Sequence, residues 1–456
     1  MVTKSDIRTE IPEFLKLAVP LASAQVAQAA TGFADTIMMG QLGQESLAAG
    51  GLASTTFQFL LTTVSGVVMA TSPLVAEAYG AGRKTQIEQV TRQGLWLSLL
   101  LSIPLMFSVG HLDSAILYFG QAQRTVTLAD GYLDSIVWGI FPALGFATLR
   151  GYVSALSQAR PIVTIVILGT LFNVTGNYIL GYGKFGFPRM ELAGLGLASG
   201  LSFWVMFLAL LVYTLKHQQL KRYRFWQDLH RLRPRILQQM VQIGVPIAIT
   251  IGLEYGLFVV VTYLMGILGT EVLAAHQTVY QTIYVIFMVP LGMSYAVTVR
   301  VGQWLGQQNL KGARVAGYIS ISVAALFMTL TAIALLAYPQ QVIGIYLDIS
   351  QPENANVLAL AVPMLAIAAL SQLLDGVQKT AMGALYGLQD TRVPMLLSLL
   401  TFWGVGLTSG YLLGFSFGFG GVGLWIGQST GVAIAGVFSV WRFHRLTAQR
   451  GCFLKP

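Results

Sequence analysis

The chain has 456 residues, 55% of them hydrophobic and only 10% charged, with a formal net charge of +9. Soluble domains carry roughly a quarter charged residues, so this composition excludes an ordinary water-soluble enzyme or binding module. Cys452 is the one cysteine, which excludes a disulfide framework or a cysteine metal cluster within the chain.

The polar stretch from Met1 to Pro12 is not followed by a cleavable signal pattern, so the first apolar helix is expected to serve as an uncleaved anchor. A span needs about 20 mostly apolar residues. Stretches 13–38, 46–78, 88–110, 128–156, 160–182, 192–215, 237–268, 272–305, 315–338, 356–386, 394–414 and 421–441 qualify. Lipid offers backbone groups no partners, so each stretch is expected to be a helix. Several exceed the minimum and imply tilt or extension beyond the bilayer. Pro20 and Pro246 lie inside the first and seventh spans, where each frees a carbonyl and favours a kink; hinge and ordinary kink both remain open.

With the N-terminus inside, all of the 27 Lys and Arg residues except Arg124, Lys184 and Arg189 fall on the inner side. One missed helix would scramble that asymmetry. Both termini are therefore expected in the cytoplasm. The basic run from Lys216 to Arg235 reads as the central cytoplasmic loop, with contact to anionic headgroups a minor addition. The positive-inside pattern accounts for the net charge without any nucleic-acid partner. Glu77, Arg150, Arg300, Lys379 and Asp390 lie near inner helix ends and are expected in salt bridges there.

Shifted by 226 residues, the sequence matches itself. Met39-Gly-Gln-Leu-Gly-Gln-Glu-Ser-Leu-Ala-Ala49 lies on Met265-Gly-Ile-Leu-Gly-Thr-Glu-Val-Leu-Ala-Ala275, and the same shift pairs Pro20 with Pro246, Gly66 with Gly292 and Gly80 with Gly306. The expected fold class is an all-α polytopic membrane protein with 12 transmembrane helices in two pseudo-symmetric six-helix bundles. The expected organisation is an N-terminal lobe at 1–215, a basic linker loop at 216–236, a C-terminal lobe at 237–441 and a cytoplasmic tail at 442–456. Halves of even helix number share orientation and bind substrate between them.

Intramembrane acids are costly and mark function by default. Asp35, Glu254 and Asp375 lie within spans one, seven and ten. The repeat sets Glu254 opposite Gln28, Asp35 opposite Val261 and Asp375 near Phe146, so the scaffold is duplicated and the acids are not. Such a carboxylate can hold a proton, or with neutral oxygens a small hard cation; Glu254 and Asp375 are the candidate Na⁺ ligands. Either occupant cancels charge that would attract a cationic substrate, and that competition gives exchange. Helical spacing groups Gln28 and Thr31 with Asp35, Asn173 with Asn177, and Ser371 and Gln378 with Asp375. For the amides, an interhelical hydrogen bond is an equal alternative. Tyr255, Tyr280, Tyr284 and Phe287 are candidate aromatic contacts for an organic cation, with packing as the alternative.

Asp35-Thr-Ile-Met-Met-Gly-Gln-Leu-Gly43, Met265-Gly-Ile-Leu-Gly269, Ala274-Ala-His-Gln277 and Gly387-Leu-Gln-Asp-Thr-Arg-Val-Pro394 together resemble the multidrug and toxic compound extrusion (MATE) family, in its NorM-type branch. The likeness covers essentially the whole chain. It implies export of organic, often cationic, compounds in exchange for Na⁺ or H⁺, from a bacterial inner membrane. The acids of helices seven, ten and one match Glu254, Asp375 and Asp35, and the helix-five amides match Asn173 and Asn177. No cofactor is expected beyond the coupling ion. The expected partners are membrane lipids and small organic cations or drugs, with the chain acting as a monomer. A flippase for lipid-linked sugars is the alternative, but its groove would gather basic residues, whereas the mid-membrane charges here read as acidic. A membrane enzyme would need a nucleophile–base pair or metal cluster, and no such grouping is visible. No Walker motif appears either.

Overall fold

The computed structural model describes residues 4–118, 122–228, 230–347 and 351–448; Cys452 and the rest of the tail beyond 448 lie outside them. The long helices are α1 (Lys4–Leu42), α2 (Gln44–Gly80), α3 (Lys84–Val109), α4 (Gln123–Ala155), α5 (Arg160–Gly181), α6 (Glu191–Lys216), α7 (Pro234–Leu268), α8 (Thr270–Gly306), α9 (Leu310–Ala337), α10 (Ala355–Gly387), α11 (Arg392–Ser416) and α12 (Gly420–Ala448). They follow the sequence-predicted spans in order. Among the described residues, 11 of them, α2 to α12, are long and apolar enough to cross a membrane. The first helix has ample length at 39 residues, and Gln25, Gln28 and Asp35 dilute its apolarity. It begins before the expected start at 13, because Pro12 sits inside the helix rather than ahead of it.

Outward-facing side chains explain why the fold suits lipid. Ile103, Phe107, Leu400 and Val437 are each more than 60% exposed. Water would make such surface a liability; hydrocarbon makes it neutral.

The internal repeat survives in the backbone. The first and seventh helices end at Leu42 and Leu268, and α2 and α8 each run for 37 residues beyond them. The intervening Gly43 and Gly269 take φ of +123° and +133°, a conformation L side chains rarely adopt.

Packing divides the chain into two compact units, Ser23–Ala248 on one hand and Met1–Ala22 with Ile249–Pro456 on the other. The cuts fall two residues after Pro20 and Pro246, within α1 and α7, and not in the loop 216–236. Glycine contacts give the reason. A Cβ on Gly292 of α8 would meet Ala22 Cα at 2.3 Å, and one on Gly244 of α7 would meet the Val67 carbonyl oxygen of α2 at 2.1 Å. The first part of α1 therefore packs on α8, and the first part of α7 packs on α2. Small residues allow such close backbone approach. Gly292→Val is expected to lower the melting temperature of the detergent-purified protein, at an overpacking cost of about 1–3 kcal/mol. Gly51→Val, where nothing lies within 4 Å of a Cβ, is the control and should melt near wild type.

The loop after α6 is stitched to the Ser23–Ala248 unit. Arg92 Nε donates to the Phe225 carbonyl at 3.2 Å, and Gln93 Nε2 donates to the Arg231 carbonyl at 3.0 Å. The Arg224 amide donates to Glu88 Oε1 at 3.0 Å, and Phe225 is fully buried. The described residues of this segment are held in place by these contacts.

Candidate functional site

In the Ser23–Ala248 unit, Asp35 ends a hydrogen-bonded chain. Asn177 Nδ2 donates to Asp35 Oδ1 at 2.5 Å and to Asn173 Oδ1 at 3.2 Å, while Asn173 Nδ2 donates to Ser199 Oγ at 2.9 Å. Both amides are essentially buried. Tyr132 shares a hydrogen bond with Ser199 and lies within electrostatic reach of Asp35. The helical spacing of Asn173 and Asn177 thus does bring them to Asp35. Local backbone helps: α5 widens into a π-helical turn over Asn177–Gly181, a distortion that re-aims side chains and is common at functional sites. Gln28 is only half-buried and makes no hydrogen bond with Asp35, and Thr31 is engaged with Thr170 across 2.7 Å. Among the described residues, no direct hydrogen bond joins Gln28 or Thr31 to Asp35 on that face.

The other unit holds a different arrangement. Lys379 Nζ, on α10, donates to Glu254 Oε2 of α7 at 2.5 Å. The two side chains are 11% and 16% exposed, so the pair is largely desolvated. Glu254 Oε1 is buried and has no hydrogen-bond partner among the described residues. Asp375, one turn before Lys379, lies within electrostatic reach of both Glu254 and Lys379. The aromatic candidates stand beside this group. Tyr255 and Tyr284 share a hydrogen bond, Tyr280 and Tyr284 have ring centroids 6.0 Å apart, and Phe287 presents its ring 5.7 Å from Lys379 Nζ. Tyr386 hydrogen-bonds Thr250 and lies within electrostatic reach of Glu254.

Two expectations need correction. Lys379 was expected in an inner-end salt bridge, yet its partner is the mid-helix Glu254, so the charges within the spans are not all acidic. Gln378 does not join Asp375: its Nε2 donates to Met382 Sδ at 2.6 Å, and its Cβ packs 3.5 Å from where a Gly436 side chain would begin, on α12. A helix turns 100° per residue, so positions three and four after Asp375 straddle its direction, and Lys379 takes the side facing α7. Three of the other end charges form the ion pairs expected of them: Arg300 with Glu10, Asp390 with Arg442, and Glu77 with Arg83 at 4.0 Å, whereas Arg150 donates to the neutral Gln25 at 3.0 Å. Sequence reasoning missed Lys379, Tyr386, Tyr132 and Ser199. The first two carried a usable signal, since residues 375, 379 and 386 recur at helical spacing on one face.

The sequence matches the MatE family over residues 20–179 and again over 246–412. The chain belongs to the MatE family. The two matches begin 226 residues apart, which is the shift of the internal repeat. A protein named probable multidrug resistance protein NorM from a Synechococcus species is 59% identical over 97% of this MatE chain and 96% of its own length. Proteins of the same name from a Synechocystis species and from Pseudomonas aeruginosa are 55% and 40% identical over 97% and 96% of the chain, and over 96% and 90% of their own lengths. An outward-facing multidrug resistance MATE family transporter of the MOP superfamily superposes with a TM-score of 0.87 at 20% identity, covering 98% of this chain and 99% of its own. A eukaryotic MATE transporter superposes at 0.84, also at 20% identity and with the same coverage. At that identity they show the fold, a polytopic helical one. This MatE chain is a membrane transporter and not an enzyme.

Proposed function

We propose that Glu254 and Asp375 are the carboxylates through which this chain exchanges an organic cation for Na⁺ or H⁺, with Asp35 and its asparagines serving the first half. The chain is a NorM-type multidrug efflux transporter and an ion-coupled antiporter. The observation that carries the finer reading is the grouping of Glu254 of α7 with Asp375 of α10 inside apolar spans, with the Phe287 ring of α8 beside their Lys379 neighbour. Carboxylate and phenol oxygens offer a small hard cation its preferred ligands, and a proton can neutralise either acid. Aromatic faces attract organic cations. Occupants of one charge cannot load together, so each must leave before the other enters.

Alternating access then needs two moving bodies, which the duplicated halves 1–215 and 237–441 supply by sequence. The positive-inside asymmetry supports cytoplasmic termini in a bacterial inner membrane, and the single-chain plan supports a monomer.

The test is reconstitution of the full chain in vesicles with ethidium as the fluorescent cation, imposing a Na⁺ gradient and a pH gradient separately. At least one gradient is expected to drive ethidium beyond its equilibrium distribution. Passive equilibration under both would overturn ion-coupled antiport.

A further inference from the structure

We propose that Lys379 is a tethered cation that competes with the transported cations for Glu254 and so sets the affinity at which the site loads. This rests on the assignment of Glu254 as a loading carboxylate. The ammonium of Lys379 sits against Glu254 Oε2 at 2.5 Å and 5.7 Å from the Phe287 ring centroid. A carboxylate and an aromatic face are what would hold an organic cation, so the lysine occupies a cation's position.

Three features make this a competitor rather than a fixed strut. The pair is shielded from water, so it is not the exposed kind of ion pair that contributes almost nothing. The lysine stem is long and flexible, and Asp375 lies one helical turn before it, an alternative partner at i,i+4 spacing. Swinging from Glu254 to Asp375 would free Glu254 without stranding the ammonium. Glu254 Oε1, meanwhile, is buried and unpartnered. An arriving cation can engage Oε1 while Lys379 still holds Oε2, so the carboxylate need never be bare. Because the competitor is attached to the chain, its effective concentration is high, and a free cation binds more weakly than it would to the acids alone.

Equilibrium binding of tritiated tetraphenylphosphonium to the detergent-purified full chain tests this. Lys379→Gln and Lys379→Met are each expected to bind it about tenfold more tightly, the gain from losing a competitor that holds the site most of the time. Lys379→Arg should bind as wild type, and the gain should vanish when Glu254→Gln is added. Unchanged or weaker binding in both neutral variants would overturn the proposal. In the unaltered protein, acetic anhydride labelling of Lys379, read by mass spectrometry, should rise when tetraphenylphosphonium is added; a fall or no change would overturn it even if the variants misfold. Failure of the underlying assignment looks different: Glu254→Gln alone would leave tetraphenylphosphonium binding undiminished.

Discussion

Glu254→Gln is expected to abolish uphill export of ethidium from reconstituted vesicles, with the coupled rate falling at least about a hundredfold. Removing one charge from a desolvated contact costs roughly 2–5 kcal/mol, and each 1.4 kcal/mol is tenfold. The substitution has a second consequence. It takes from the Lys379 ammonium, 11% exposed, its observed carboxylate partner, a loss of about 3–5 kcal/mol for a fully buried charge left alone and less where the stem swings to Asp375. A fall in melting temperature should therefore accompany the loss of transport. The double variant Glu254→Gln with Lys379→Met separates the two effects. Its melting temperature should return most of the way to wild type while uphill export stays absent. If export returned with stability, Glu254 would be a structural partner of Lys379 and nothing more.

The second large effect concerns stability alone. Glu10 is 3% exposed and accepts from Arg300 Nε and Nη2 at 2.7 Å each and from Trp304 Nε1 at 3.1 Å. It fixes the first part of α1 against α8. Glu10→Gln removes the bidentate charge on Arg300, which is itself 13% exposed, at a cost of about 3–5 kcal/mol. Glu13→Gln is the matched comparison, because Glu13 and its partner Lys16 are 44% and 59% exposed. Pairs in water contribute ~0–1 kcal/mol. Thermal melts in detergent should show a large drop for Glu10→Gln and almost none for Glu13→Gln. Equal drops would contradict the assignment of Glu10 as an anchor.

Glu10 also shows where sequence reasoning stops. Met1 to Pro12 reads as a polar stretch ahead of the first span, because charge density there exceeds that of any span. Only packing reveals that α1 starts at Lys4 and buries Glu10. The spans themselves were legible, since apolar runs of that length have few other uses. The repeat was legible from identities at one shift, and Gly43 and Gly269 carry it into matching backbone angles. What the repeat could not reveal is the exchange of helix ends near Pro20 and Pro246, which depends on which backbone Gly244 and Gly292 touch.

At the site, the acids stood out because hydrocarbon penalises them. The partner of Glu254 did not. A lysine near a helix end is ordinarily expected to reach towards water, and composition alone does not show which way its stem turns. The π-helical turns over Asn177–Gly181 and Leu399–Leu407 were equally hidden, since nothing in those residues distinguishes i→i+5 from i→i+4 bonding. Asn173 and Asn177 still share a face as their spacing implied, because the widening begins at Asn177 itself, and that Asn177 meets Asp35 is seen only in the packing.

The coupling role proposed for the second-half acids rests most directly on Asp375, whose charge neighbours are Glu254 and Lys379. Its decisive measurement is ethidium accumulation by vesicles carrying Asp375→Asn, under whichever ion gradient drives the wild-type chain. Accumulation should fall to the equilibrium level, with insertion and monodispersity intact. Accumulation equal to wild type would contradict coupling through these carboxylates.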